Sequence, residues 1–298
     1  MRSSSNLKRA VVSNSDALRR TRQRKKKRIL LILILCLIVI IGAIVALSRY
    51  REFRIVDVTV VGSKVLPPDD IQARAQSHIT GYYAWIIPKN SALFYPRRKI
   101  ESDLYSLYSR IADVRIERDG LQRMQIEITE YDGVYLWCGF EYDPSAPCYF
   151  VDENGLVFDE APFYSGTLFF KFFGSPLLAN QSGVLRNPIL SSEEFTVVMG
   201  FKYALEELGL APVAFEISGS RYVYYVDSAG DHYTKIILQG TNDIAHNAEN
   251  LSSAIQTEPL ARLVREGLGT VEYIDLRFPN KVLFKEIGKN GAQPQKEL

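Results

Sequence analysis

The chain has 298 residues, 47% hydrophobic and 23% charged, a composition that excludes a disordered protein; at roughly 150 residues per domain it suits about two domains. The net charge of +2 hides an asymmetry: residues 1–28 hold eleven Lys/Arg and one acid, Asp16, residues 29–48 hold no charge, and the rest holds 25 basic and 33 acidic residues. Basic charge confined to one tail, not spread over a folded face, gives no basis for a nucleic-acid partner.

The first twenty residues, MRSSSNLKRAVVSNSDALRR, are polar and read as a tail without regular structure. The uncharged run ILLILILCLIVIIGAIVALS, Ile29–Ser48, is long enough at 1.5 Å per residue to cross a bilayer core of about 30 Å. It exceeds the h-region of a signal peptide, and no small-residue cleavage site follows, so an uncleaved transmembrane helix is expected. RRTRQRKKKR directly before it predicts a cytoplasmic N-terminus, with everything after residue 48 outside the cytoplasmic membrane.

Beyond the span, FRIVDVTVVG (53–62) reads as a strand. PPDDIQARAQSHI then reads as a helix that starts on prolines and acids and presents Ile71, Ala75 and Ile79 on one face. Residues 80–96 are aromatic and turn-rich, with no period. A second helix is expected over RRKIESDLYSLYSRI, with Ile100, Leu104, Leu107, Tyr108 and Ile111 as its stripe. Strands ADVRIER and QRMQIEITE follow around an Asp119-Gly120-Leu121 turn. Arg115, Glu117, Arg118, Glu127 and Glu130 are expected on the watered side of this small sheet.

From Tyr131 a larger unit is read. GVYLWC, CYFVDENGLVFDE and TLFFKFFG supply strands, and Asn154-Gly155 is the strongest hairpin signal in the chain. Residues 174–190 read as loop. Ser191 and Glu194 form a capping box for a helix ending at Gly209, with Lys202 snorkelling from its inner face. Strands VAFEIS, RYVYYVD and DHYTKIIL come next, the last two joined by a turn at Ala229-Gly230. A helix over about 243–257 follows, and then strands 271–276 and 281–285. Cys138 and Cys148 flank nine residues on the side where oxidation is permitted; a disulfide and two reduced thiols are both open.

Chemistry is sparse. His78, His232 and His246 share no ligand spacing, no nucleophile motif occurs, and the paired carboxylates Asp152-Glu153 and Glu193-Glu194 fall at a turn and a helix cap. No catalytic residue, metal site or cofactor is expected.

Three stretches carry a family resemblance: FRIVDVTVVGSKVLPPDDI, IADVRIERDGLQRMQIEITEYDGVYLW, and the pair CYFVDENGLVFDE with VEYIDLRFPNKVLFK. Their order, over about residues 25–285, resembles the FtsQ/DivIB family of bacterial cell-division proteins, with Glu130 at the Glu that family members show before the second domain. Asp119-Gly120-Leu121 stands where the family often has an aromatic-Pro pair, and residues 82–96 and 160–190 match nothing placed in it. The resemblance implies an α+β protein: a basic tail (1–28), a transmembrane helix (29–48), a β-α-α-β-β POTRA-like domain (53–130), a larger domain with an extended, mostly antiparallel sheet (131–286) and a disordered tail (287–298). It implies a single-pass divisome scaffold with no enzymatic activity and with small FtsB-like and FtsL-like bitopic partners. By position, Arg277, Phe278 and Asn280 would flank a partner strand added at the sheet edge, with Val282 and Phe284 lining it; the alternative for Val282 and Phe284 is the core. Two rival functions remain, an exported enzyme acting on wall polymers and a POTRA-bearing module of another envelope complex.

Overall fold

The computed structural model describes residues 4–143, 146–164, 166–176, 183–229, 232–240, 244–288 and 293–294, with backbone alone for 4–24 and 293–294. The chain divides into two compact units, residues 1–107 with 113–129, and residues 108–112 with 130–298.

The first unit opens with one helix, α1 (Ser4–Arg49). The tail expected to lack regular structure is therefore helical from Ser4. No proline interrupts these 46 residues and their one glycine is Gly42, while Lys, Arg, Leu and Ala are good helix formers. The Lys25–Arg49 part is long and apolar enough to cross a membrane. A 3-10 turn at Arg51–Phe53 delays the first strand, β1 (Asp57–Val61), beyond its expected start at 53. Helix α2 (Pro68–Ile79) buries Ile71, Ala75 and Ile79, the stripe read from the sequence. A short hairpin follows, β2 (Tyr82–Tyr83) with β3 (Ile87–Pro88). Helix α3 (Arg97–Leu107) is shorter than its apolar stripe implied: it buries Ile100 and Leu104, whereas Tyr108 lies past its end and Ile111 opens the next strand.

Strands β4 (Ile111–Asp119) and β5 (Arg123–Glu130) complete a three-stranded sheet in the order β1-β5-β4. β1 runs parallel to β5, so two helices intervene between the first strand and the pair it joins. The inward face of β5 is Met124, Ile126, Ile128 and then Glu130. Glu130 is therefore buried, not on the watered side, because a strand's period of two gives it the parity of its apolar neighbours. Across the helices, Asp103 of α3 accepts from Arg74 Nε at 2.5 Å and lies 2.9 Å from His78 Nε2, both on α2.

The second unit is built on an eleven-stranded sheet. Its strands are β6 (Tyr135–Trp137), β7 (Tyr149–Val151), β8 (Leu156–Glu160), β9 (Lys171–Phe173), β10 (Asn187–Pro188), β11 (Pro212–Ser218), β12 (Arg221–Val226), β13 (Thr234–Gln239), β14 (Val271–Phe278), β15 (Lys281–Glu286) and β16 (Gln293–Pro294). The spatial order is β10-β8-β7-β6-β9-β11-β12-β13-β14-β15-β16. Most neighbours are antiparallel; β9 runs parallel to both β6 and β11, and β13 to β14.

Three helices, α4 (Ser192–Glu207), α5 (Ile244–Ile255) and α6 (Leu260–Arg265), supply the larger core on one face. α4 carries the expected capping box, Ser191 Oγ accepting from Glu194 N and Glu194 accepting from Ser191 N. Lys202 Nζ reaches Glu206 at 2.7 Å, which lets a largely buried stem end on a charge. α6 has no counterpart in the sequence reading, since six residues show too little period to detect. The Ala229-Gly230 turn and the start of the helix expected at 243 fall partly outside the described residues.

A second apolar layer covers the opposite face. Leu136, Cys138, Phe173, Ala214, Val223 and Tyr225 form it with Tyr142, Phe150, Tyr164 and Phe169. β12 feeds both layers: Tyr222, Tyr224 and Val226 enter the helix-side core, Val223 and Tyr225 the other. The loop on this face is pinned by a Cys138–Cys148 disulfide. Residues 108–112 join this unit through Arg110, whose Nε donates to Asp159 Oδ2 at 2.7 Å and whose guanidinium lies 5.2 Å from the rings of Phe150 and Phe158.

Candidate functional site

The sheet's closing hairpin is β14–β15. Its loop is Pro279-Asn280, flanked by the pair Phe278↔Lys281. Asn280 takes φ 56°, a left-handed conformation that Asn tolerates better than most residues, and its Oδ1 lies 3.0 Å from His246 Nε2 on α5.

Asp275 fixes the irregular end of β14. The ladder shifts register between Asp275 and Phe278, and the Asp275 carboxylate, 4% exposed, gathers what the shift leaves over. Its Oδ1 accepts from Arg277 N at 3.0 Å and from Arg277 Nε at 2.9 Å, and its Oδ2 accepts from Nη2 at 2.6 Å. The hydrogen bonds to Asp275 push the Arg277 pKa up from its ordinary value, and the guanidinium, a cation in any case, lies 5.9 Å from the Phe278 ring. On the other strand, Lys285 Nζ meets Glu272 at 2.7 Å, and that hydrogen bond raises the Lys285 pKa.

The five residues singled out from the sequence separate into two sets. Arg277, Phe278 and Asn280 cluster at the exposed loop end of the hairpin. Val282 and Phe284 are 6% and 2% exposed and belong to the helix-side core. Their side chains do not line an open contact; period two puts them inward and leaves Lys281, Leu283 and Lys285 on the other face.

The edge itself is covered. After Glu286 the chain turns at Gly288, φ 77°, and returns as β16, antiparallel to β15 with Leu283↔Pro294 and Phe284↔Gln293. The tail expected to be disordered thus contributes the outermost strand, two residues long. The opposite edge ends the same way, in β10, where Asn187 and Pro188 pair with Val157 and Leu156. Proline donates no ladder hydrogen bond, which makes it a blocking residue for an edge. Both ends of the sheet are closed by a two-residue strand that carries a proline. The sequence reading missed both strands, because two residues show no period and a proline argues against a strand.

The histidines stay apart, each with its own neighbour: His78 with Asp103, His232 with the Val271 carbonyl and His246 with Asn280. Among the described residues no group of three His, Cys, Asp or Glu side chains is placed to hold a metal ion. A cleft of about 470 Å³ between α4 and α5 is lined by apolar side chains and Gly200, with no titratable group in its wall. The most distinctive exposed geometry is therefore the β14–β15 hairpin and its two-residue cover. Compared with models of protein families and with curated proteins, the chain matches none.

Proposed function

We propose that this protein is a membrane-anchored, non-enzymatic scaffold of bacterial cell division, similar in role to the FtsQ/DivIB family, sitting in the cytoplasmic membrane with its N-terminus inside and both folded units outside. The observation that carries the reading is the mismatch at the sheet's last strand: β15 is six residues long and its outer neighbour β16 covers two of them. A longer partner strand makes more main-chain hydrogen bonds than β16 does, and strand addition takes its affinity from that ladder. The β1-β5-β4 order with two intervening helices supports a POTRA-like reading of the first unit, and the apolar stretch of α1 supports the anchor.

In this reading the partners are small FtsB-like and FtsL-like bitopic proteins. One of them lays a strand along β15 and displaces β16, with Arg277, Phe278 and Asn280 at one end of the contact. Val282 and Phe284 act from below, by holding β15 flat on its core. A photo-crosslinker at Leu283, on the face away from that core, tests this in living cells. Capture of an FtsB-like or FtsL-like protein supports the scaffold; capture of nothing but the chain's own residues 288–298, at full expression and membrane insertion, overturns strand addition at this edge.

A further inference from the structure

The first unit carries a second feature with no part in the β15 contact. Hairpin β2–β3 presents Trp85 at its tip, 91% exposed, between Ala84 (φ 45°) and the half-exposed Ile86, with Trp85 itself at φ 67°. Left-handed backbone is unfavourable for a bulky side chain, and a large aromatic held bare in that conformation is not explained by packing within the unit. Tyr82 and Tyr83, just before the tip, are exposed as well.

The position of this hairpin relative to α1 gives it a use. Arg49, the last residue of α1, donates from Nε to the Ile86 carbonyl at 2.9 Å and from Nη2 to the Trp85 carbonyl at 3.5 Å. α1 also packs against β3, and the apolar helix is bare of protein contact until its last turn, where Val45 is half-buried and Ser48 fully buried. The hairpin is therefore fastened at the level where the apolar run stops. Twenty residues at 1.5 Å span a hydrocarbon core of about 30 Å, and the polar headgroup zone beyond it is only about 5–8 Å deep on each side. Trp and Tyr favour that zone, because an apolar ring and a polar N–H or O–H are both satisfied there. Arg49 and Arg51, both exposed where α1 ends, suit anionic headgroups.

We infer that hairpin β2–β3 is an interfacial anchor: Trp85, with Tyr82, Tyr83 and Ile86, inserts into the headgroup layer of the bilayer that α1 crosses and fixes the first unit against the membrane surface. This rests on the reading of α1 as a membrane span.

The chain has two tryptophans, and the other, Trp137, is buried with its Nε1 donating to the Gly174 carbonyl. Trp137→Phe in the full chain leaves Trp85 as a single-site reporter, and the difference spectrum between wild type and Trp85→Phe gives the same readout if Trp137→Phe does not fold. The protein is placed in phosphatidylethanolamine–phosphatidylglycerol vesicles containing lipids brominated high on the acyl chain. The expected result is blue-shifted Trp85 emission, quenched by the brominated lipid and protected from iodide in water. A chain that resists carbonate extraction but whose Trp85 is quenched by iodide and not by lipid overturns the hairpin anchor alone. A chain that carbonate strips from the vesicles overturns the membrane span and the anchor with it.

Discussion

Pro294 stands opposite Leu283, and Gln293 opposite Phe284, so that the sheet's most distal strand is a two-residue return of the chain upon itself. This short cover separates a stable edge from an accessible one. It offers one or two main-chain hydrogen bonds, each worth about 0.5–1.5 kcal/mol net, against the full ladder a six-residue partner strand can make.

Ending the chain at Ile287 removes that cover. Deuterium exchange of the amides of residues 282–285 is expected to accelerate roughly tenfold, the factor that about 1.4 kcal/mol of lost protection implies. Cross-linking from Leu283 to a partner rises in the same variant. Unchanged exchange at these amides would mean that β16 protects nothing.

Asp275→Ala is expected to lower stability by about 1–3 kcal/mol, because one buried carboxylate serves both the backbone N–H and the guanidinium of Arg277. Arg277→Ala should cost less despite touching the same partner, since the guanidinium is about one-third exposed and its removal leaves the Arg277 N–H bond to Asp275 in place. Urea midpoints of the two variants in detergent rank them; an Arg277 variant as damaged as the Asp275 variant contradicts the assignment of Asp275 as the residue that pins the register shift.

Two glycines with left-handed backbones should respond differently to alanine. Gly62 has φ 84°, and a Cβ there would overlap the backbone carbonyl of Ile128. Gly209 has φ 79° and open space around it. Gly209→Ala should cost about 1 kcal/mol, the conformational penalty alone. Gly62→Ala must also move β5, the central strand of the first sheet, and should cost about 3 kcal/mol or more. Thermal unfolding of the two variants side by side checks the contrast.

The α2–α3 clasp makes the first unit acid-sensitive. Hydrogen bonds from Arg74 and then His78 hold the Asp103 carboxyl at about 2, below its ordinary 3.8. A folded-state value below the unfolded one gives stability that is complete above the unfolded pKa and is lost as pH falls through the folded one. Wild type should therefore exceed Asp103→Asn in stability at pH 5, and the gap should close between about pH 4 and pH 2. A gap that persists at pH 2 would remove the ionised clasp as its cause.

Much of the local structure was legible in the residues because its causes are local. Ile71, Ala75 and Ile79 recur at helical spacing and are buried together. Ser191 and Glu194 satisfy each other's backbone donors within one turn. Asn154-Gly155 turns β7 into β8, with Gly155 at φ 85° under the Phe195 ring. Errors came where a local pattern outran its element. The apolar spacing through Ile111 continued past the end of α3, because Ile111 is buried by a strand and not by a helix. The charge of Glu130 suggests water, yet its parity on β5 places it inward. The N-terminal tail reads as too polar for structure, yet α1 starts at Ser4, in a stretch without proline or glycine up to Gly42.

The sequence by itself determined the apolar N-terminal helix and the type of nearly every long element. These follow from hydropathy, period and residue type within windows of a few to twenty residues. The tertiary structure alone decided that β9 lies between β6 and β11, that β12 is buried on both faces, that Val282 and Phe284 turn inward, and that Asn187–Pro188 and Gln293–Pro294 close the two ends of one sheet. Pairing brings together residues far apart in the chain, and a two-residue strand has no period of its own. Its existence is set by the partner that leaves hydrogen-bonding groups to be met, and that partner is known only once the chain is folded.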